Sequence, residues 1–305
     1  MRSRPDPSTV RVDGPWTHRD VHANGIRLHV AETGEGPLVL LLHGFAQFWW
    51  TWRHQLTALG DAGFRAVAVD LRGYGDSDKP PRGYDAWTLA GDVAGLIKSL
   101  GESRAHLVGH GWGGLLAWTV GALHPRVVHS IATLSAPHPL VLRNQIRRTA
   151  LRTRPNNQAR AAHLLGAQLP ILPERRLTSD NAAEVERLIR SWSGPQWTAH
   201  RDFGAAVDQY QRAMLVTGAA HCALEYHRWA VRSQLRSEGK RYREAMGRRI
   251  EQPVLQIYGA VDPCVLTRTR DASRQGEKHV LPGIGHFPHE EAPALTNALL
   301  TKFLR

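Results

Sequence analysis

Short aliphatic runs alternate along the chain with segments in which apolar residues recur every three or four positions. The runs are typical of strands buried in a parallel sheet, and the three-to-four spacing is typical of amphipathic helices. The pattern therefore predicts an α/β fold with a doubly wound parallel sheet. The predicted strands are 20–23, 26–31, 38–42, 66–70, 105–109, 127–134, 254–258 and 279–282, and the predicted helices are 50–60, 86–100, 114–124 and 293–304.

Residues 139–252 interrupt this alternation. The segment is rich in arginine and has helical spacing, best developed in 181–191, 198–215 and 223–236. The simplest interpretation is a sheet domain that carries a helical insertion lying over it. The predicted division is a core domain of 16–138 and 253–305, a helical cap of 139–252 and an N-terminal extension of 1–15.

Length and composition indicate a protein that needs neither disulfides nor a membrane. The chain has 305 residues, of which 42% are hydrophobic, and this is enough for a sizeable core. No apolar run approaches the roughly 20 residues of a membrane span, and the charged, proline-containing N-terminus does not resemble a signal sequence. Two cysteines, Cys222 and Cys264, form no disulfide framework and suit a reducing compartment. The predicted location is therefore the cytoplasm.

The net charge of +12 raises the question of a nucleic-acid partner. Ten of these twelve charges belong to residues 139–252, so the core is close to neutral. Only 5 of the 39 basic residues are lysine. Such a bias toward arginine is typical of proteins from GC-rich genomes. The chain has no helix-turn-helix, zinc or other recognition motif, and nucleic-acid binding is not expected.

Chemistry concentrates in loops that follow predicted strands, where open α/β sheets bind their ligands. In 109–114, Gly-His-Gly-Trp-Gly-Gly, small residues flank a central position, as a tight nucleophile elbow requires. Asp262 and His286 follow later in the chain, in the acid-then-histidine order of α/β-hydrolase triads. The loop 70–80 also holds carboxylates, which we interpret as structural.

Together these motifs resemble those of the α/β-hydrolase superfamily, and within it the epoxide hydrolases and the related haloalkane dehalogenases. The resemblance spans 16–304 and implies an eight-stranded, mostly parallel sheet flanked by helices, with a helical cap over residues 139–252. The matching segments are His43-Gly44-Phe45 with Trp50-Thr51-Trp52-Arg53, the loop 70–80, the elbow 109–114, the two triad loops at Asp262 and His286, and Tyr210-Gln211-Arg212-Ala213-Met214 in the cap.

The resemblance also implies a mechanism. A carboxylate at the elbow attacks an epoxide carbon, and His286, held by Asp262, activates the water that hydrolyses the resulting ester. A cap tyrosine, here Tyr210, donates to the leaving oxygen. The backbone N–H groups of Phe45 and Trp112 form the oxyanion hole. No cofactor and no metal is implied.

The chain departs from this family at the nucleophile, because Gly111 stands where the family has aspartate. Glycine has no side chain, and no Asp, Glu, Ser or Cys occurs between Arg104 and His129. We interpret Cys264 as a small hydrophobic residue rather than a relocated nucleophile. The second expected cap tyrosine is also missing, since Ala167 takes its place.

Two functions stay open at this stage. In the first, the protein is a slow hydrolase of a small apolar epoxide or ester-like substrate, in which His286 and Asp262 act directly on water. In the second, it is a non-catalytic protein that binds an apolar ligand or a protein partner in the capped pocket, motivated by Gly111.

Overall fold

Eight strands form one sheet in a computed structural model that describes residues 5–150, 166–265 and 276–305. The order across the sheet is β1-β2-β4-β3-β5-β6-β7-β8, with β1 and β2 antiparallel to their neighbours and all other pairs parallel. The fold class is the predicted one. The strands are β1 Thr17–Ala23, β2 Ile26–Thr33, β3 Leu38–Leu42, β4 Arg65–Val69, β5 Ala105–His110, β6 Val128–Leu134, β7 Val254–Gly259 and β8 Glu277–Leu281.

The centre of the sheet is the most apolar part of the molecule. β3 lies between β4 and β5, and all five of its residues are buried. Helices cover both faces of a parallel sheet, so its inner strands need no polar side. The core helices that precede β6 are α1 Arg53–Asp61, α2 Ala86–Ser99 and α3 Trp112–Leu123.

Between β6 and β7 the described residues form helices and no strand. These helices are α4 Pro139–Ala150, α5 Leu172–Thr178, α6 Ala183–Trp192, α7 Pro195–Thr198, α8 Asp202–Leu215, α9 Ala219–Arg232 and α10 Ser237–Met246. The helical stretch predicted over 198–215 corresponds to α8, which begins four residues later because residues 199–201 separate it from α7. After β8 the chain ends with α11 Pro288–Glu291 and α12 Pro293–Leu304.

Part of the predicted N-terminal extension packs on the core. The carbonyl of Val10 accepts a hydrogen bond from the Trp49 indole at 2.9 Å. Arg11 pairs with Asp20 at 2.7 Å and with Asp76 at 2.6 Å. These contacts fasten residues 10 and 11 beside β1 and the loop that follows β4. No helix in the described ranges is long and apolar enough to cross a membrane.

Candidate active site

The turn from β5 into α3 has the backbone geometry of a nucleophile elbow. Gly111 has φ 52° and ψ −116°, a conformation that L side chains rarely adopt. The glycines around it have no space for a side chain. A Cβ would lie 2.3 Å from the Gly113 carbonyl if placed on Gly109, and 2.1 Å from the Leu42 carbonyl if placed on Gly113. The close approach of β3, β5 and α3 therefore requires small residues here.

The position of Gly111 itself has room for a side chain. A Cβ there would lie 3.6 Å from Nε2 of His286 and 3.7 Å from the Gly44 Cα, both ordinary contact distances. The glycine is thus favoured by its positive φ and not by crowding. A side chain at this position would point at the imidazole of His286.

We predict that Gly113→Ala and Gly111→Ala both lower the free energy of unfolding. Gly113→Ala forces a methyl against backbone and should cost about 1–3 kcal/mol. Gly111→Ala costs only the strain of its sparsely populated backbone conformation, about 1–3 kcal/mol. Gly204→Ala is the control, since nothing lies within 4 Å of a Cβ there and alanine favours α8. Urea unfolding measures all three, and an unaffected Gly113→Ala protein would contradict the steric account.

His286 and Asp262 form a buried hydrogen-bonded pair beside Gly111. His286 Nδ1 lies 2.9 Å from Asp262 Oδ2, and both residues are less than a tenth exposed. The other carboxylate oxygen of Asp262 accepts from the backbone N–H of Cys264 at 2.6 Å. Because an aspartate oxygen only accepts when ionised, the ring proton sits on Nδ1 and Nε2 is left as a base facing Gly111.

The loop that carries His286 is anchored from three sides. Its N–H donates to the carbonyl of Trp192 at 2.8 Å, and its own carbonyl lies 2.8 Å from Nε2 of His110. The Glu291 carboxylate accepts the N–H groups of Gly285 (2.7 Å), Phe287 (3.0 Å) and Gly194 (2.8 Å). Burial raises the pKa of Glu291, although these three donors oppose the shift. Since 192 and 194 belong to the helical insertion, the imidazole is held jointly by core and insertion.

The two predicted oxyanion donors lie on either side of Gly111. Phe45 follows Gly44, whose Cα is in contact distance of the elbow. Trp112 is the first residue of α3, so its N–H has no carbonyl partner one turn earlier within the helix. The N-terminal end of a helix also favours negative charge. The structure brings Gly111, His286, Asp262 and these two backbone positions together.

A chain of buried polar side chains supports the loop below Phe45. Gln47 Oε1 lies 2.8 Å from Nδ1 of His110, and its amide nitrogen donates to Thr51 at 2.8 Å. Thr51 in turn lies 2.7 Å from His289. Burial lowers the pKa of His289 to about 3, so this ring is neutral near pH 7. Burial and the neighbouring rings of His289 and His286 likewise hold the pKa of His110 well below its usual value.

The hydroxyl of Tyr210 is bonded to groups other than Asp262 and His286, so the structure does not bring it together with them as the resemblance implied. Tyr210 lies in α8, is fully buried, and its hydroxyl donates to Glu290 and lies 3.0 Å from the Thr51 hydroxyl. Burial, with the charge of Glu290, raises its pKa well above the usual value. Arg53 pairs with the same carboxylate at 2.8 Å. The phenol is therefore part of a buried ion-pair network and is not directed at a leaving group beside His286.

Two residues at the site were not found from the sequence. His227 in α9 has its ring 4.6 Å from that of Phe45, and its Nε2 accepts the Trp112 indole N–H at 3.1 Å. Trp192, at the end of α6, has its ring 5.6 Å from that of His286. The sequence signal for Trp192 was weak: a tryptophan just before the Gly194-Pro195 turn.

One group of side chains in the described ranges has the composition of a metal site. Donor atoms of Asp262, Cys264 and His286 all lie within 4.8 Å of one another. The hydrogen bond between Asp262 and His286 accounts for two of the three without an ion. The Gly-rich elbow lacks the lysine of a phosphate-binding loop. The hydrogen-bonded pair of Asp262 and His286 thus suits acid–base chemistry.

The chain is similar to known proteins over most of its length. Residues 37–293 match the family model described as alpha/beta hydrolase fold. The AB hydrolase superfamily protein YfhM of Bacillus subtilis is 31% identical over 297 residues, which cover 93% of this chain and 96% of that protein. Epoxide hydrolase A of Mycobacterium tuberculosis is 31% identical, covering 95% and 98%. The crystal structure of epoxide hydrolase A from Mycobacterium thermoresistibile superposes with a TM-score of 0.77 at 30% identity, covering 95% and 98%.

Proposed function

Because the chain belongs to the α/β-hydrolase fold family and is epoxide hydrolase-like, we propose that it is a hydrolase in which His286 activates water directly. The observation that carries this proposal is the 3.6 Å between Nε2 of His286 and a Cβ position on Gly111. The space that a nucleophilic side chain would fill lies in front of the base. A water held there is within reach of Nε2 and close to the oxyanion positions.

In the proposed reaction, His286 takes a proton from that water as its oxygen attacks the electrophile. Asp262 stabilises the imidazolium that forms. The N–H groups of Phe45 and Trp112 stabilise negative charge on the substrate. No covalent intermediate divides the barrier, so turnover is slower than in an enzyme that has a nucleophile at the elbow.

The substrate we propose is small and apolar. Aromatic rings surround the base: Trp192 lies 5.6 Å from the His286 ring and Phe287 lies 5.2 Å from it. Phe45 and Trp112 contribute further aromatic surface, with ring centroids 4.6 Å and 4.9 Å from that of His227. Apolar walls with few polar groups are typical of sites for small apolar ligands.

His286→Ala should lower kcat/KM about 100-fold, the usual scale for loss of a general base. Asp262→Asn should act on the same step and show a smaller loss. His200→Ala is the matched control, because His200 is an exposed histidine of the insertion. Activity that is equal in wild type and His286→Ala would refute the proposal.

The alternative function is ligand binding without turnover, and the absence of a side chain at Gly111 favours it. The same measurements separate the two. Saturable binding of an apolar ligand by wild type, with no His286-dependent turnover of any ester or epoxide tested, would establish the non-catalytic function.

A further inference from the structure

We infer that the site takes carboxylic esters and not epoxides, an inference that rests on the proposed hydrolase function. Opening an epoxide and hydrolysing an ester require different groups. An epoxide carbon has no carbonyl to polarise, and its alkoxide leaving group needs an acid beside it. A carbonyl instead needs a base for water and N–H donors for its oxygen. The structure retains the second set.

The acid expected for epoxide opening is a tyrosine phenol. All six tyrosines of the chain lie in the described ranges. Five of their hydroxyls are bonded to groups other than the catalytic pair. The partners are the Pro80 carbonyl for Tyr84, Thr51 and Glu290 for Tyr210, the Arg72 carbonyl for Tyr226, Thr119 for Tyr242 and Gln256 for Tyr258.

Tyr74 is the sixth, and its buried hydroxyl has no partner among the described residues. Its ring packs edge-on to His43 at 4.7 Å and to Tyr226 at 5.6 Å. Burial, with a contribution from Cys222, raises its pKa far above the usual value. These neighbours place the phenol under α9, beside Cys222, and its described contacts do not include His286.

Among the described residues of the insertion, His227 is a polar side chain that contacts the rings of Phe45 and Trp112, and it accepts a hydrogen bond there. An indole N–H can only donate, so the hydrogen bond from Trp112 requires an unprotonated Nε2 on His227. The ring proton then lies on Nδ1, which is 3.3 Å from the carbonyl of Ala223 within α9. Neutral His227 therefore offers no proton to an epoxide oxygen through Nε2.

For an ester, His286 and the N–H groups of Phe45 and Trp112 are sufficient for the whole reaction. The water oxygen bonds to the carbonyl carbon, its proton passes to Nε2 of His286, and the carbonyl π electrons move to the oxygen held by the Phe45 and Trp112 N–H groups. The tetrahedral species then collapses and breaks the bond to the alcohol oxygen. His286 returns its proton to that oxygen, which releases an acid and an alcohol.

The test compares a matched pair of small aromatic substrates, phenyl acetate and styrene oxide, on wild type, His286→Ala and the His200→Ala control. We expect hydrolysis of phenyl acetate with a kcat/KM about 100-fold lower in His286→Ala. The rate of diol formation from styrene oxide should be the same for wild type as for His286→Ala. A single turnover in H₂¹⁸O should place one ¹⁸O atom in the acetate, since the attacking oxygen comes from water.

Each other result has a defined meaning. Diol formation that depends on His286 would overturn the ester inference while leaving the hydrolase function in place. If this diol formation were lost in Tyr74→Phe or Tyr210→Phe, the substituted tyrosine would be the acid that protonates the epoxide oxygen. No His286-dependent turnover of either substrate would overturn the hydrolase function as well. Unlabelled acetate from the first turnover would show that a protein carboxylate, and not water, supplies the oxygen that attacks the carbonyl.

Discussion

Gly111→Ser is expected to raise phenyl acetate hydrolysis on the order of 10²–10³-fold and to introduce an initial burst of phenol. A hydroxyl one bond beyond the Cβ reaches hydrogen-bonding distance of His286 Nε2, which lies 3.6 Å from the Cβ position. The substitution would thus create a Ser–His–Asp triad with Asp262. The serine would act with the N–H groups of Phe45 and Trp112, which we propose as oxyanion donors, and beside the aromatic rings around His286. Rapid-quench or stopped-flow measurement of the burst detects the acyl-enzyme.

Gly111→Ala is the matched control for this experiment. It adds the same Cβ and the same backbone strain, about 1–3 kcal/mol, without a nucleophile. Because its methyl occupies part of the space in front of Nε2, we expect it to hydrolyse phenyl acetate more slowly than wild type. A Gly111→Ser protein that is folded, shows no burst and matches Gly111→Ala would contradict the placement of His286 and the oxyanion positions.

Most of the fold could be predicted from the sequence because strands and tight turns leave local signatures. β3 is a five-residue aliphatic run, and the glycines of the elbow are explained by the carbonyls that a Cβ would meet. The order of Asp262 and His286 after the elbow was enough to anticipate their pairing, now observed at 2.9 Å. These features depend on short segments whose chemistry is visible in the sequence itself.

The helical insertion was harder to interpret, because its contribution to the site depends on how whole helices pack. Tyr210 lies in a motif of the right appearance, yet α8 directs its hydroxyl to Glu290 and Thr51. His227 reaches the site from α9 instead. Neither orientation is encoded in local spacing, since one helix shows several polar residues on different faces. The sequence predicted the pairing of Asp262 with His286 and missed the residues that the insertion brings beside them.

Asp70→Asn is expected to lower the free energy of unfolding by about 1–3 kcal/mol, because the amide cannot accept from all of the buried donors that the carboxylate holds. Asp70 follows β4 and is fully buried. Its oxygens accept from His29 Nδ1 at 2.7 Å and from the N–H groups of Asp76 and Trp49, both at 2.9 Å. Through Trp49 it fixes the loop that carries Phe45. An asparagine would turn its NH₂ group toward one of these donors.

The pH dependence gives a second signature of the same carboxylate. Burial opposes ionisation of Asp70, but the hydrogen bond and charge of His29 outweigh it and hold the pKa below the ordinary value of 3.8. A depressed pKa stabilises the fold at every pH above that value, and this stabilisation is lost as pH falls through the folded-state pKa. Urea unfolding from pH 7 to pH 3 should therefore show a steeper acid-side loss in wild type than in Asp70→Asn. Asp61→Asn, at an exposed position in α1, should follow the wild-type curve. Parallel curves for wild type and Asp70→Asn would mean that the pKa of Asp70 is the same in the folded and the unfolded protein, and that His29 does not depress it.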